Sequence, residues 1–228
     1  LAKVERAMRG TVVFDLDGTL AETAPDIMAA LNMLLAREGL PTMPVSAARQ
    51  LVGAGARALI DRGFKASGRP LSPEKLDALF AMLLDHYLEN IADGSYLFPG
   101  VETALTVLAD QGYRLAVCTN KPEPHSKALL KALGVADRFT AIAGRETFAV
   151  CKPDPRHLTE TIRLAGGDVT RAVMVGDSRT DIDTAKAARI PVIAVPFGYT
   201  DVPIHELGPD VVIEHFDMLA PEVARFLP

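Results

Sequence analysis

A series of short, unbroken apolar runs, separated by longer helical patterns, most limits the folds open to this chain. Thr11 to Leu16 (TVVFDL), Leu115 to Thr119 (LAVCT), Thr140 to Ala143, Ala172 to Gly176 (AVMVG) and Val192 to Val195 (VIAV) read as strands, and Val211 to Ile213 is a shorter one. A strand wet on one face alternates apolar and polar residues. These do not, as expected where helices cover both faces of a sheet. Pro99 to Gln111 repeats apolar residues at Val101, Ala104, Leu105 and Leu108. Pro122 to Leu133 and Pro153 to Leu164 open with the proline that a first helical turn tolerates, and Thr180 to Ala188 follows the fourth strand. Strands alternating with helices predict an α/β fold: a doubly wound parallel sheet, or Rossmann-like core.

One stretch breaks the alternation. Glu22 to Asp93 shows no predicted strand but several amphipathic helices. Asp26 to Glu38 places Ile27, Ala30, Leu31 and Leu34 on one stripe. In Ser72 to Asp93, Ser72 is a candidate N-cap, Pro73 takes the first helical position, and Leu76, Leu79, Phe80, Leu83, Tyr87 and Leu88 recur at helical spacing. The expected organisation is a core of residues 1–21 and 94–228, with a small helical cap, 22–93, inserted after the first strand. Gly94 to Gly100 (GSYLFPG) reads as a hinge.

Composition narrows the partners. Apolar residues make up 49% of the 228, enough for a sizeable core. A net charge of −5 without a block of like charge argues against nucleic acid. No apolar run is long enough to span a membrane, so no membrane partner is expected. The first residues lack the apolar stretch of a signal peptide, and two cysteines make no disulfide framework, so the expected compartment is the cytoplasm. Oligomeric state is left open.

Chemistry gathers at the predicted strand ends, where open parallel sheets bind ligands. Asp15-Leu16-Asp17-Gly18-Thr19-Leu20 closes the first strand. An isolated D-x-D is as readily a pair of surface or capping carboxylates. Here, though, Thr119-Asn120 ends the second run, Lys152 follows the third, and Gly176-Asp177 ends the fourth, with Asp181 one helical turn beyond. Two unit charges 4 Å apart repel by about 4 kcal/mol at an effective dielectric near 20. A carboxylate cluster of this kind calls for a cation. Oxygen-only ligands suit Mg2+, and no His or Cys cluster suggests zinc.

The order D-x-D-G-T, hydrophobic-T-N, K-P, G-D-x-x-x-D resembles the haloacid dehalogenase-like phosphatase superfamily along the whole chain. Within it, FDLDGTL, APDI, LFPGV, TNKP, KPDP, VGDSRTDIDTA, FGYT and PDVVI are most similar to phosphoglycolate phosphatases. The resemblance implies a Mg2+-dependent phosphomonoester hydrolase acting on a small phosphorylated metabolite, with 2-phosphoglycolate first. Asp15 would be the nucleophile that forms an aspartyl-phosphate, and Asp17 the proton carrier. Asp15, the Asp17 carbonyl and Asp177 would hold the metal. Thr119, Asn120 and Lys152 would bind phosphate, and Asp181 would support them from behind. Related phosphosugar phosphatases, pyrophosphatases and phosphosugar mutases share many of these phrases. A dehalogenase is disfavoured, because that chemistry does not keep the second aspartate. A phospho-accepting signalling or binding module is the reading from another class, but receiver-type domains carry their acceptor on a later strand.

In the cap, Leu51 to Arg57 (LVGAGAR) suggests specificity: Gly53 and Gly55 bring backbone close to a ligand, and Arg49 or Arg57 pairs with a substrate carboxylate. The alternative is that the glycines only separate helices and the arginines are solvated. Cys118 and Cys151 each precede a motif residue and read as packing groups rather than a redox switch. The histidines are scattered, although His125 and Lys121 follow Asn120 closely enough to border a substrate. Two positions depart from the family pattern: Glu22-Thr23 stands where Asp-Ser is usual, and Arg189 where glycine is common.

Overall fold

A computed structural model describes residues 8–52, 55–200 and 202–228. Gly53, a candidate substrate contact, lies outside the described residues. The sheet runs in the order β5-β4-β1-β6-β7-β8, from β1 (Gly10–Phe14), β4 (Tyr113–Cys118), β5 (Ala141–Ala143), β6 (Ala172–Gly176), β7 (Val192–Ala194) and β8 (Val211–Val212). Every pairing is parallel. β1 therefore lies inside the sheet, between β4 and β6.

The unbroken apolar runs have a simple physical cause. Successive strand residues point to opposite faces, and here both faces are dry. Val12, Phe14, Leu115, Val117, Val173 and Val175 enter one core, with Leu105 and Leu108 of α5 (Val101–Asp110), Leu129 of α6 (Glu123–Ala132) and Val223 of α9 (Leu219–Phe226). Val13, Ala116, Cys118 and Met174 enter the other, with Leu158 and Ile162 of α7 (Pro155–Leu164) and Ile182 of α8 (Arg179–Ala188).

Between β2 (Ala21–Glu22) and β3 (Tyr96–Leu97) come α1 (Ala24–Arg37), α2 (Ala48–Leu51), α3 (Ala56–Ala66) and α4 (Pro73–Glu89). They bury a separate apolar cluster that includes Met28, Leu31, Leu35, Ile60, Phe64, Leu79 and Leu83. Ser72 caps α4 as expected, accepting from Lys75 N at 3.3 Å. The helix stops at Glu89, short of the predicted Asp93, where the Asn90 amide turns back to donate to the His86 carbonyl at 2.8 Å.

The stretch predicted to be free of strands is corrected at its edge. Glu22 lies in β2, which pairs antiparallel with β3 inside the expected hinge. Ala21-Glu22 stands in no unbroken apolar run like those that marked the main sheet, and Tyr96-Leu97 sits among the glycines and proline that read as a hinge. The Asp26 carboxylate braces this crossing, accepting from Gly94 N at 2.8 Å, Ser95 N at 2.8 Å and Ser95 Oγ at 2.6 Å.

Candidate active site

Asp15 extends β1 by one ladder bond, its N–H donating to the Val175 carbonyl at 2.9 Å. Leu16 is then buried in the core while its carbonyl accepts from the N–H groups of Thr19, Leu20 and Ala21. This turn holds Leu16 inward and leaves Asp15 and Asp17 facing a pocket at the carboxyl end of the sheet. Gly18 makes the turn possible. Its φ is +82°, and a Cβ there would stand 2.5 Å from Asp177 Oδ2.

The pocket gathers Asp15, Asp17, Thr119, Asn120, Lys152 and Asp177. Lys152 Nζ lies 2.9 Å from Asp15 Oδ1 and 2.6 Å from Asp181 Oδ1. Asp181 does not line the pocket; its other oxygen accepts from Ser178 N at 3.1 Å and Ser178 Oγ at 2.6 Å, at the start of α8. Asp177 accepts from Thr19 Oγ1 at 2.8 Å and Tyr199 N at 2.6 Å. The Asn120 side chain donates to the Lys152 carbonyl at 3.0 Å, tying the second and third motif loops together.

Electrostatics point to a cation. Asp15, Asp177 and Asp181 are buried and offer oxygens within 4.8 Å of one another. The Asp15 carboxyl is raised to about 6, chiefly by burial and with a push from Asp181, against the opposing pull of Lys152. Asp177 is raised well above the carboxylate range by burial, then by Asp181 and Asp15. Burial alone would lower the Lys152 ammonium, but Asp15 and Asp181 hold it above its usual value. Lys152 thus pairs with two of the three buried carboxylates, and Asp177 is met by the neutral donors of Thr19 and Tyr199. Asp15 Oδ1, though near Lys152, has no aligned hydrogen bond. Buried, under-neutralised and oxygen-only, the donors fit a hard divalent cation. Asp15 and Asp177 line the pocket, whereas Asp181 does not and has both oxygens engaged, one by Lys152 and the other by Ser178.

Several pocket residues were poorly legible. Lys121 Nζ donates to Asp17 Oδ1 at 2.8 Å and to the Tyr87 hydroxyl of α4 at 2.7 Å, bridging the sheet side to the insert. Thr23 Oγ1 also donates to Asp17 Oδ1, at 2.8 Å. The Tyr199 hydroxyl accepts from Thr23 N at 2.7 Å and Ala24 N at 2.8 Å and donates to Glu22. The Glu22-Thr23 departure is thereby accounted for: Glu22 also accepts from Ala24 N at 2.9 Å, at the head of α1. Lys121 was visible as a neighbour of Asn120, Tyr199 stood in the FGYT phrase without a role, and Tyr87 was hidden in an apolar helical stripe.

Other expectations need correction. The structure does not bring Arg49 or Arg57 to the pocket. Arg49 is exposed on α2. Arg57 is held by Asp77 and lies 4.4 Å over the Phe80 ring, on an exposed face. Gly55 does line the pocket, at φ +88°. His125 is buried against the insert rather than bordering the pocket: Nε2 is 2.9 Å from the Leu84 carbonyl, and the ring stacks on Tyr87. Both cysteines are free, and burial pushes the Cys118 thiol up to about 12, as suits a packing group.

Ile27, Leu59, Leu83, Leu84 and Tyr87 of the insert form an apolar roof over these polar groups. The cavity of about 80 Å³ is a space for a small molecule. A buried aspartate at the first strand end, a lysine from a third loop and an acidic pair after a further strand define a class of hydrolase. A family profile described as haloacid dehalogenase-like hydrolase matches residues 12–195. The chain belongs to that family.

Its relatives are more specific. A phosphoglycolate phosphatase of Mesorhizobium japonicum is 54% identical over 219 residues, 96% of each chain. One from Caulobacter vibrioides is 48% identical, over 90% of this chain and 87% of its own. Among solved structures, a predicted phosphoglycolate phosphatase from Haemophilus somnus superposes with a TM-score of 0.86 at 30% identity, covering 93% of this chain and 97% of that one. CbbY from Rhodobacter sphaeroides, solved in complex with phosphate, gives 0.79 at 28% identity, over 92% and 96%. Among the described residues, no helix is long and apolar enough to cross a membrane.

Proposed function

We propose that this hydrolase is a magnesium-dependent phosphatase that converts 2-phosphoglycolate and water to glycolate and phosphate. The observation that carries the chemistry is the placement of Asp15, Asp17, Lys152 and Asp177 around one small pocket beneath the insert. The substrate rests on the named relatives and on the pocket's size.

In this reading an Asp15 carboxylate oxygen attacks phosphorus while Asp17, as the acid, protonates the departing alkoxide. The phosphorus–alkoxide bond breaks and an aspartyl-phosphate forms. Asp17 then takes a proton from the water that attacks this phosphoryl group, releasing phosphate and restoring Asp15. Lys121 and Thr23 hold Asp17 Oδ1 from two sides, so its free oxygen is aimed rather than searching. Thr119, the Asn120 backbone and Lys152 steady the phosphoryl oxygens as charge spreads over them. Asp15, the Asp17 carbonyl and Asp177 would hold magnesium, with Asp181 anchoring Lys152 behind them. When bound, the ion supplies charge neutralisation between carboxylate and phosphate.

The insert, residues 22–93, acts as a cap on the core of 1–21 and 94–228. It shuts out water other than the reacting one. The test is a panel of small phosphomonoesters assayed with and without Mg2+ and ranked by kcat/KM. 2-Phosphoglycolate is expected at its head, with activity lost on chelation. Phosphate release from no member, or equal release without metal, refutes the reading.

A further inference from the structure

The cations lining the pocket are already committed. Among the described residues they are Lys121, paired with Asp17 at 2.8 Å, and Lys152, paired with Asp15 at 2.9 Å and Asp181 at 2.6 Å. Lys152 is spared only to meet the phosphoryl group. On the substrate reading above, the ligand carries a second anion, its carboxylate. Burying that group beneath an apolar roof without a partner is strongly unfavourable. A further cation would meet that charge best, and neither Arg49 nor Arg57 lines the pocket to supply it.

Arg145 stands where one is needed. It follows β5 and is exposed. A Cβ built on Gly55 would lie 3.4 Å from Arg145 Nη1 and 4.0 Å from the Asn120 carbonyl oxygen. Gly55 and Asn120 both line the pocket, so the guanidinium adjoins that lining at the seam between insert and core. The base of the side chain is anchored. Arg145 N donates to the Lys121 carbonyl at 3.0 Å, and a tight turn closes from Thr147 N to the Gly144 carbonyl at 3.2 Å. Among the described residues, no carboxylate pairs with the guanidinium.

We propose that Arg145 is the specificity-determining residue for the substrate carboxylate, reaching across Gly55 from the core side. A guanidinium offers a planar fork that binds a carboxylate through two parallel hydrogen bonds. It also gives Gly55 a use beyond separating helices, because a side chain there would press on the guanidinium.

The test compares wild type, Arg145→Ala and Arg145→Lys on 2-phosphoglycolate and on 2-hydroxyethyl phosphate, which carries an alcohol in place of the carboxylate. The wild type alone reports on the substrate reading: no preference for 2-phosphoglycolate refutes it, and the Arg145 assignment with it. Given that preference, Arg145→Ala is expected to raise KM for 2-phosphoglycolate about tenfold or more with kcat within about twofold, the signature of lost uniform binding. KM for 2-hydroxyethyl phosphate should not move, and Arg145→Lys should recover part of the loss. If Arg145→Ala lowers kcat/KM for both substrates alike, or changes neither, Arg145 does not read the carboxylate and the substrate reading stands.

Discussion

At the scale of single residues, the carboxylate cluster sets function against stability. Asp15 is buried with its carboxyl raised to about 6 from 3.8, so its charge costs the metal-free fold up to about 3 kcal/mol at neutral pH. Asp15→Asn removes that charge at nearly constant shape. It is expected to abolish turnover, by on the order of 10⁵-fold or more for loss of a nucleophile, and to raise the Tm of the metal-free protein. Retained activity would remove the nucleophile assignment; a lowered metal-free Tm would contradict the electrostatic account. Arg189 is a milder case. It ends α8 at φ 58° and ψ 37°, the left-handed conformation in which a Cβ is strained. Arg189→Gly is predicted to stabilise the fold by about 0.5–1 kcal/mol, read from denaturant midpoints, without touching kcat. The departure at Arg189 was visible in the sequence because glycine is usual there. The use of Glu22 was not, because it depends on Tyr199, far along the chain.

At the scale of elements, legibility followed apolar runs for strands and helical repeats for helices. The strands of the main sheet announced themselves as unbroken apolar runs and α5 to α8 by their helical repeats, and Ser72-Pro73 marked the head of α4. β2 and β3 showed nothing, because AE stands in no apolar run of the kind that marked the equally short β8, and YL sits among hinge glycines and a proline. Tyr87 read as one more apolar residue of α4, yet its hydroxyl meets Lys121. Arg57 read as a candidate partner for a substrate carboxylate, although Asp77 and Phe80 hold it on an exposed face. Both errors concern side chains whose partners lie on other elements. Tyr87→Phe keeps the ring and removes only the hydroxyl. It should lower kcat/KM about 3- to 30-fold while costing about 1 kcal/mol of stability; unchanged kinetics would show that the bridge to Lys121 is mere packing. His157, at the head of α7, makes a different prediction. It is buried, with Nε2 3.0 Å from the Gly144 carbonyl, and burial lowers its pKa to about 4 from 6.5. An unfolded chain takes up this proton first, so the stability His157 confers is full above pH 6.5 and is lost as pH falls through 4. The loss reaches roughly 3 kcal/mol. Urea midpoints of wild type and His157→Gln should converge as pH falls through that window; parallel curves would refute the assignment.

At the scale of the whole molecule, metal and pH act on the same charges. Asp15 is raised, so the sign is opposite to that of His157. The folded state holds the extra proton, and metal-free stability falls as pH rises from 3.8 through about 6. A bound divalent ion relieves the repulsion once the carboxylates are ionised, and it competes with protons below that range. Saturating Mg2+ is therefore expected to raise Tm by several degrees at pH 7.5 and by much less at pH 5. An increment that did not depend on pH would place the ion elsewhere.

Tyr199 has one more consequence. Its backbone N–H holds Asp177, its hydroxyl holds Glu22, Thr23 and Ala24 beside the β2–β3 ribbon, and its ring packs among the insert's apolar residues. If the ribbon is the axle on which the insert swings, Tyr199 sits at the fulcrum, where displacement is least. The wide end of the lever is then the seam where Tyr87 meets Lys121 and Gly55 meets Arg145. A door hung in this way admits and discharges small anions at its free edge while the metal-side loop stays still, so the ion need not leave with each product.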